Sequence, residues 1–223
     1  MSQKTGKQQE TVGDALARRV EARWGAAPRL VEALRELGAV DRALYQAVAR
    51  TPTAALDGTV RRLSDAANHS RLWLGIAAAV ALLGGERGRR AALEGVLSIG
   101  VTSATVNLGV KTLAERPRPD RGGPDLFRAR HVRMPDSTSF PSGHAASAFA
   151  FAYAVGRHLP ELAVPLRLLA GGVAYSRVHT GVHYPGDVVV GSIMGAGTAA
   201  MVAAVCDRLP TQSHRGGSSS RAA

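Results

Sequence analysis

The sequence predicts an all-α protein, a helical bundle of about five apolar, mostly membrane-spanning helices with amphipathic N-terminal helices before them. The first observation behind this prediction is that apolar residues, 45% of the chain, gather in runs, while both ends of the chain are polar. The second is that leucines and valines in the polar N-terminal part recur every three or four residues, which is the spacing of one helix face. The apolar runs are residues 72–85, 91–110, 145–155, 162–175 and 188–206.

The N-terminal part is divided in two. Residues 1–28 are expected to be a polar segment that is largely disordered or forms a short amphipathic helix. Residues 29–70 are expected to form amphipathic helices at the membrane surface, with Gly38 ending one helix and Asp41 capping the next. Thr51-Pro52 should break the chain again. Surface helices that pack on a soluble core are the alternative for this region.

Residues 71–209 are expected to form the functional helical core, followed by a disordered tail over 210–223. The runs 91–110 and 188–206 are long enough to span a hydrocarbon layer of about 30 Å. The run 72–85 is short for that span. A soluble all-α bundle is the alternative, since short apolar runs also occur in buried core helices. The membrane is favoured because the strongest runs have no polar face.

The chain carries a formal net charge of +11. Such a charge suits nucleic acid, anionic lipid headgroups or phosphorylated substrates. Aromatic residues make up only 4% of the chain and do not alternate with basic runs, so binding of single-stranded nucleic acid is disfavoured, and no nucleic-acid partner is expected. The five apolar runs predict a multi-pass protein of the cell membrane. Five spans would place the connector 111–140 and its site on the same side as Arg61, Arg62 and Arg71, so the positive-inside bias favours a cytoplasm-facing site.

Polar clusters lie at the ends of the apolar runs, and counting the crossings places all of them at one end of the bundle. They are Lys111 with Arg118, then Ser142-Gly143-His144, then Arg177, His183 and Asp187. The three cations suit one phosphate group, because an arginine fork matches phosphate oxygens in paired hydrogen bonds. Ser142 can cap a helix whose first N–H groups make an anion site. Asp187 can hold His183 Nδ1–H and leave Nε2 free to attack.

Lys111-x6-Arg118-Pro119, Pro141-Ser142-Gly143-His144 and Ser176-Arg177-x5-His183-x3-Asp187 together resemble the three-part signature of the type 2 phosphatidic acid phosphatase superfamily. The resemblance implies hydrolysis of a phosphate monoester or pyrophosphate, usually on a lipid, without a metal or another cofactor. By that resemblance His183 is the nucleophile that forms a phosphohistidine, Asp187 orients it, and His144 is the acid for the leaving group. The remaining positions would hold the phosphoryl oxygens: Lys111, Arg118, Ser142, Gly143 and Arg177.

Other activities and other roles stay open at this point. Vanadate-dependent haloperoxidases share the same signature and are the enzyme alternative. The non-enzyme alternative is a basic membrane-surface protein that binds anionic lipid or nucleic acid through its arginines. A lipid phosphate and the membrane are the expected partners, while the identity of the lipid and the oligomeric state are left open. The remaining connector arginines are expected to be solvated charge or headgroup contacts: Arg116, Arg121, Arg128, Arg130 and Arg133.

Overall fold

The computed structural model describes residues 12–24, 28–111, 116–121 and 129–208. These residues form α-helices and no β-strand, which confirms the all-α class. The helices are α1 (Val12–Trp24), α2 (Pro28–Arg50), α3 (Ala54–Ala66), α4 (Arg71–Leu83), α5 (Gly85–Ala104), α6 (Gly143–His158), α7 (Pro160–His179) and α8 (Pro185–Cys206). The disorder expected over residues 1–11 and 210–223 falls outside the described residues.

The five apolar runs form α4 to α8. Within the described residues, two helical stretches are long and apolar enough to cross a membrane, Gly85–Gly109 and Pro185–Cys206, with mean hydropathies of 1.3 and 2.0. Large apolar side chains point outward from several helices, and Leu83 and Leu168 are 88% and 72% exposed. Apolar faces of this kind are what lipid would cover. The number of crossings stays a prediction.

Helix α6 lies at the centre of the bundle, packed between α5, α7 and α8. Its alanine-rich sequence has no polar face, and alanines on every side of it are fully buried. Gly191 and Gly195 of α8 face its backbone: a Cβ at Gly195 would lie 2.0 Å from the Ala146 carbonyl oxygen. The backbones of α6 and α8 are therefore in direct contact. This contact sets the start of α6 beside the start of α8.

Helix α2 runs unbroken through Gly38 and Asp41, so the predicted helix end and helix cap at these residues are wrong. Gly38 is buried because α1 crosses α2 there, and a Cβ on Gly13 would lie 2.9 Å from its amide nitrogen. The close approach of two helices, and not chain termination, explains this glycine. The predicted break at Thr51-Pro52 is confirmed, because α2 ends at Arg50 and α3 begins at Ala54.

Two irregular turns lie at the end of the bundle where α6 begins. A short 3-10 turn, Asn68–Ser70, joins α3 to α4, and its His69 and Ser70 have left-handed φ angles of 53° and 57°. A π-helical turn, Thr105–Val110, extends α5, and the Lys111 amide donates to the Val106 carbonyl at 3.0 Å. Such backbone features are often found at functional sites.

Candidate active site

The predicted polar clusters converge around one cavity of about 200 Å³. Five of the predicted site residues line it: Lys111, Arg118, Gly143, His144 and His183. The other three, Ser142, Arg177 and Asp187, are buried behind that lining, each no more than 1% exposed. The structure therefore brings together, at one end of the bundle, the eight residues that the sequence singled out.

The start of α6 forms the floor of this site. Ser142 is the N-cap, and its Oγ accepts from the Ala145 amide at 3.5 Å. The Ser142 amide donates to the Asp187 carbonyl at 2.9 Å, which joins the first turns of α6 and α8. A Cβ at Gly143 would meet no atom within 4 Å, so a bound group can approach the backbone closely. The first N–H groups of α6 thus provide an anion site.

Three cations surround the cavity, and within the described residues none of them pairs with a carboxylate. Arg118 Nη1 donates to the Val182 carbonyl at 2.7 Å, and Lys111 Nζ donates to Ser137 Oγ at 3.2 Å. Arg177 Nη1 donates to Ser64 Oγ at 2.6 Å.

Burial lowers the pKa of Arg118 to about 10, so its guanidinium is still charged at neutral pH. Burial, with the charge of Arg118, also lowers the pKa of Lys111. Uncompensated positive charge in a partly buried pocket favours a small, highly charged anion.

His183 lies in the turn between α7 and α8, and its side chain is 2% exposed. Its Nε2 lies 3.3 Å from Arg118 Nη1, which can donate only to a ring nitrogen that carries a lone pair. Its Nδ1 lies 3.5 Å from Asp187 Oδ2, too far for a normal hydrogen bond. Burial lowers the pKa of His183 to about 4, against the opposing effect of Asp187. The ring is therefore neutral at pH 7, with its lone pair toward the cavity.

Asp187 is held by more partners than the sequence indicated. Its Oδ2 accepts from the Ser139 hydroxyl and from the Tyr184 amide. Its Oδ1 accepts from Arg116 Nη1 at 2.5 Å, and Arg116 Nη2 also donates to Asp41 Oδ2 at 2.7 Å. The Arg116 guanidinium stacks on the Tyr184 ring, 3.9 Å from its centroid. Arg116 thus links α2 to the carboxylate beside His183.

The prediction that Arg116 and Arg130 are solvated loop charges is wrong, since they are 3% and 2% exposed. Each is buried because a carboxylate compensates it: Asp41 and Asp187 pair with Arg116, and Asp57 pairs with Arg130 at 2.9 Å. The sequence contains a signal for the burial of Arg116. Asp41 lies on the buried stripe of α2, and an acid on such a stripe requires a cation nearby. Arg133 is exposed as predicted, and Arg128 lies outside the described residues.

His144 has a partner that sequence reasoning missed. Its Nε2 lies 2.9 Å from Oδ1 of Asn68, in the turn before α4, so the Asn68 carbonyl accepts the ring N–H. The left-handed His69 and Ser70 also line the cavity. Burial, with the neighbouring cations, lowers the pKa of His144, which lies ahead of the apolar stretch of α6. A phosphate dianion among those cations would favour the protonated ring again.

The sequence is similar to that of known proteins. A family model described as the PAP2 superfamily matches residues 91–209, more than half of the chain. The chain belongs to the PAP2 superfamily. A decaprenylphosphoryl-5-phosphoribose phosphatase of Mycobacterium tuberculosis is 39% identical over 147 residues, 66% of this chain and 78% of that protein. One of the same name from Mycolicibacterium smegmatis is 37% identical over 135 residues, 59% of this chain and 68% of that protein.

Solved PAP2 structures share the fold. LpxE of Aquifex aeolicus aligns with a TM-score of 0.61 and 22% identity, covering 74% of this chain and 95% of that protein. The transmembrane PAP2-type phosphatidylglycerolphosphate phosphatase of Bacillus subtilis has the same score and identity, with coverages of 89% and 94%. The family model and the 39% identical relative show that this chain is an enzyme, a phosphatase of the PAP2 superfamily. Its α1 to α4 lie before the residues that the family model matches.

Proposed function

We propose that this PAP2 protein is an integral membrane enzyme that hydrolyses a polyprenyl-linked phosphate through a phosphohistidine, without a metal ion. The observation that supports the reaction is that a neutral, buried His183 shares the site with Lys111, Arg118 and Arg177, three cations that have no carboxylate partner among the described residues. The names of the relatives support the substrate, a polyprenyl phosphoryl-pentose that carries a terminal phosphate monoester. The exposed apolar faces of α4 to α8 suit an enzyme whose substrate lies in a bilayer.

The proposed reaction has two steps. His183 Nε2 attacks phosphorus, the bond from phosphorus to the ester oxygen breaks, and His144 gives its proton to that oxygen. Water then attacks phosphorus, the bond from phosphorus to His183 Nε2 breaks, His144 takes a proton from that water, and inorganic phosphate leaves with His183 restored. Lys111, Arg118, Arg177 and the first amides of α6 stabilise the charge that spreads over the phosphoryl oxygens in both steps.

Phosphate release by the purified protein in detergent tests this proposal, with a polyprenyl phosphoryl-pentose phosphate as substrate. His183→Ala should abolish turnover, while His158→Gln, at the far end of α6, should not. Brief reaction with a substrate labelled in its terminal phosphate should leave an acid-labile, base-stable label on the protein, and a chelator should not change the rate. Retained activity in His183→Ala would overturn the mechanism, and halide oxidation that requires vanadate would support the haloperoxidase alternative instead.

We also propose that the cavity opens to the cytoplasm. The helices beside it carry Arg61, Arg62 and Arg71 in addition to the cations of the site, and the positive-inside bias favours the cytoplasm for this end, although Arg87, Arg89, Arg90 and Arg157 lie at the other. The test uses a Cys206→Ser background with the exposed Arg133, in the connector, changed to cysteine. Labelling of that cysteine in intact cells by an impermeant thiol reagent would show that the site faces outward.

A further inference from the structure

The cavity has a second wall that the phosphate chemistry does not use. Ser103 and Asn107, from the end of α5 and its π-helical turn, line the same cavity as Lys111. The three residues are spaced four apart, so they follow one face of the helix toward the phosphate site. Leu108, beside them, is 78% exposed. Ser103 and Asn107 therefore lie on the cavity side of a stretch that is apolar enough to span a membrane.

Neither Ser103 nor Asn107 forms a side-chain hydrogen bond with any other residue that the structure describes. Thr105, on the same stretch but outside the cavity lining, shows the contrast: its Oγ1 donates to the Val101 carbonyl at 2.9 Å. Polar side chains within an apolar segment are commonly functional when they face a cavity. The hydroxyl and amide on this wall are therefore available to a ligand.

The chemistry of this wall favours one class of ligand. A second phosphate, as in a diphosphate, would require cations of its own, and the cations that line the cavity, Lys111 and Arg118, already belong to the phosphate site. Ser103 and Asn107 are neutral and can both donate and accept hydrogen bonds, which suits sugar hydroxyls. The cavity of about 200 Å³ equals roughly seven liquid waters, more than a phosphate group alone needs.

We propose that Ser103 and Asn107 form a headgroup subsite that binds the hydroxyls of a pentose next to the phosphate that is removed. The subsite makes the enzyme selective for a phosphate monoester on a sugar headgroup over a lipid diphosphate or a sugar-free lipid phosphate. This inference rests on the proposed function, because it supposes that the substrate phosphate is bound among Lys111, Arg118 and Arg177.

The test compares four substrates: a short-chain prenyl phosphoryl-pentose phosphate, the matching prenyl phosphate without the sugar, the prenyl diphosphate, and free pentose phosphate. For Asn107→Leu and Ser103→Ala, the ratio of kcat/KM for the pentose lipid to kcat/KM for the sugar-free lipid should fall about tenfold, because an unpaired sugar hydroxyl weakens binding. Thr105→Val is the matched control and should keep the wild-type ratio. Inhibition by the dephosphorylated pentose lipid should weaken in the same two variants, which measures headgroup binding apart from the chemical step.

The outcomes separate the subsite from the proposed function. If the wild-type protein favours the pentose lipid and both variants keep that preference, the subsite is wrong and the proposed function stands. If the wild-type protein favours the diphosphate or the sugar-free lipid, the proposed substrate is wrong, and the subsite with it. A third outcome is that free pentose phosphate reacts as well as the pentose lipid, with both variants losing the same factor of activity on the two substrates. In that case the headgroup subsite stands, and the lipid part of the proposed function is wrong. Size-exclusion profiles that match the wild type establish that the variants are folded.

Discussion

Replacing Arg116 by methionine should destabilise the protein and slow catalysis, although Arg116 does not line the cavity. Its guanidinium is 2% exposed and joins Asp41 to Asp187 at 2.7 and 2.5 Å. Removing one partner of a buried ion pair leaves an uncompensated charge and costs about 3–5 kcal/mol. Asp41→Asn should cost less, about 1–3 kcal/mol, because Arg116 still has Asp187 and the asparagine still accepts from the Gly186 amide.

The double variant, which combines Arg116→Met with Asp41→Asn, gives the decisive measurement. Once Arg116 is absent, two carboxylates face each other without a cation, so adding Asp41→Asn should cost nothing further or should restore stability. The resulting coupling free energy should be about 1–3 kcal/mol. Denaturant unfolding in detergent, followed by the fluorescence of the buried Trp73, measures each free energy of unfolding. Arg133→Met is the matched control, because that connector arginine is exposed.

If the losses in free energy of unfolding of the two single variants add up to that of the double variant within about 0.5 kcal/mol, this reasoning is refuted. Asp41 of α2 would then not be energetically coupled to the site. Kinetics provide a second readout. Because Arg116 acts on Asp187 and not on the substrate, kcat should fall in Arg116→Met while KM stays near its wild-type value. A rise in KM alone would mean that the substrate contacts Arg116 directly.

Further predictions concern the two histidines and the helix contact. With its pKa lowered to about 4, His183 should stay mostly neutral between about pH 5 and 6.5, where an ordinary histidine gains a proton, so a ¹⁵N NMR titration midpoint above 6 would contradict its buried setting. Asn68→Ala should lower kcat about tenfold at constant KM, since it removes one hydrogen bond that orients His144, and an unchanged kcat would rule out that positioning role. Gly195→Ala should destabilise the protein by about 1–3 kcal/mol, because the new Cβ would meet the backbone of α6. Gly197→Ala is the control and should be neutral, because a Cβ there would meet no atom within 4 Å. Equal melting temperatures for the two variants would argue against close packing of α6 and α8.

The parts of the fold that follow local rules could be predicted from the sequence. Runs of apolar residues mark α4 to α8 because a helix in such surroundings needs no polar face. The break at Thr51-Pro52 is equally local, since proline disfavours continued helix at that point. Gly38 does not end a helix because one glycine costs only about 1 kcal/mol in a helix, and the glycine allows α1 to pack closely against α2.

The partners of the site residues could not be predicted because they are distant in the sequence. Asp41 and Arg116 are 75 residues apart, and Asn68 and His144 are 76 apart. A single sequence gives the residue types that chemistry needs, and motif spacing gathers those that lie close to helix ends. It does not give the orientation of α2 and α3 against the core, and that orientation decides which loop arginine is buried and which amide contacts His144.

Three side chains that reach the site come from the layer formed by α2, α3 and the turn before α4: Asp41, Ser64 and Asn68. All of them precede the range matched by the family model, residues 91–209. A compound that separated this layer from the bundle would inactivate the enzyme without occupying the phosphate cavity. Inhibition of that kind would be non-competitive, so accumulating substrate could not overcome it. The compound would also need no negative charge, which is the property that keeps phosphate mimics out of cells.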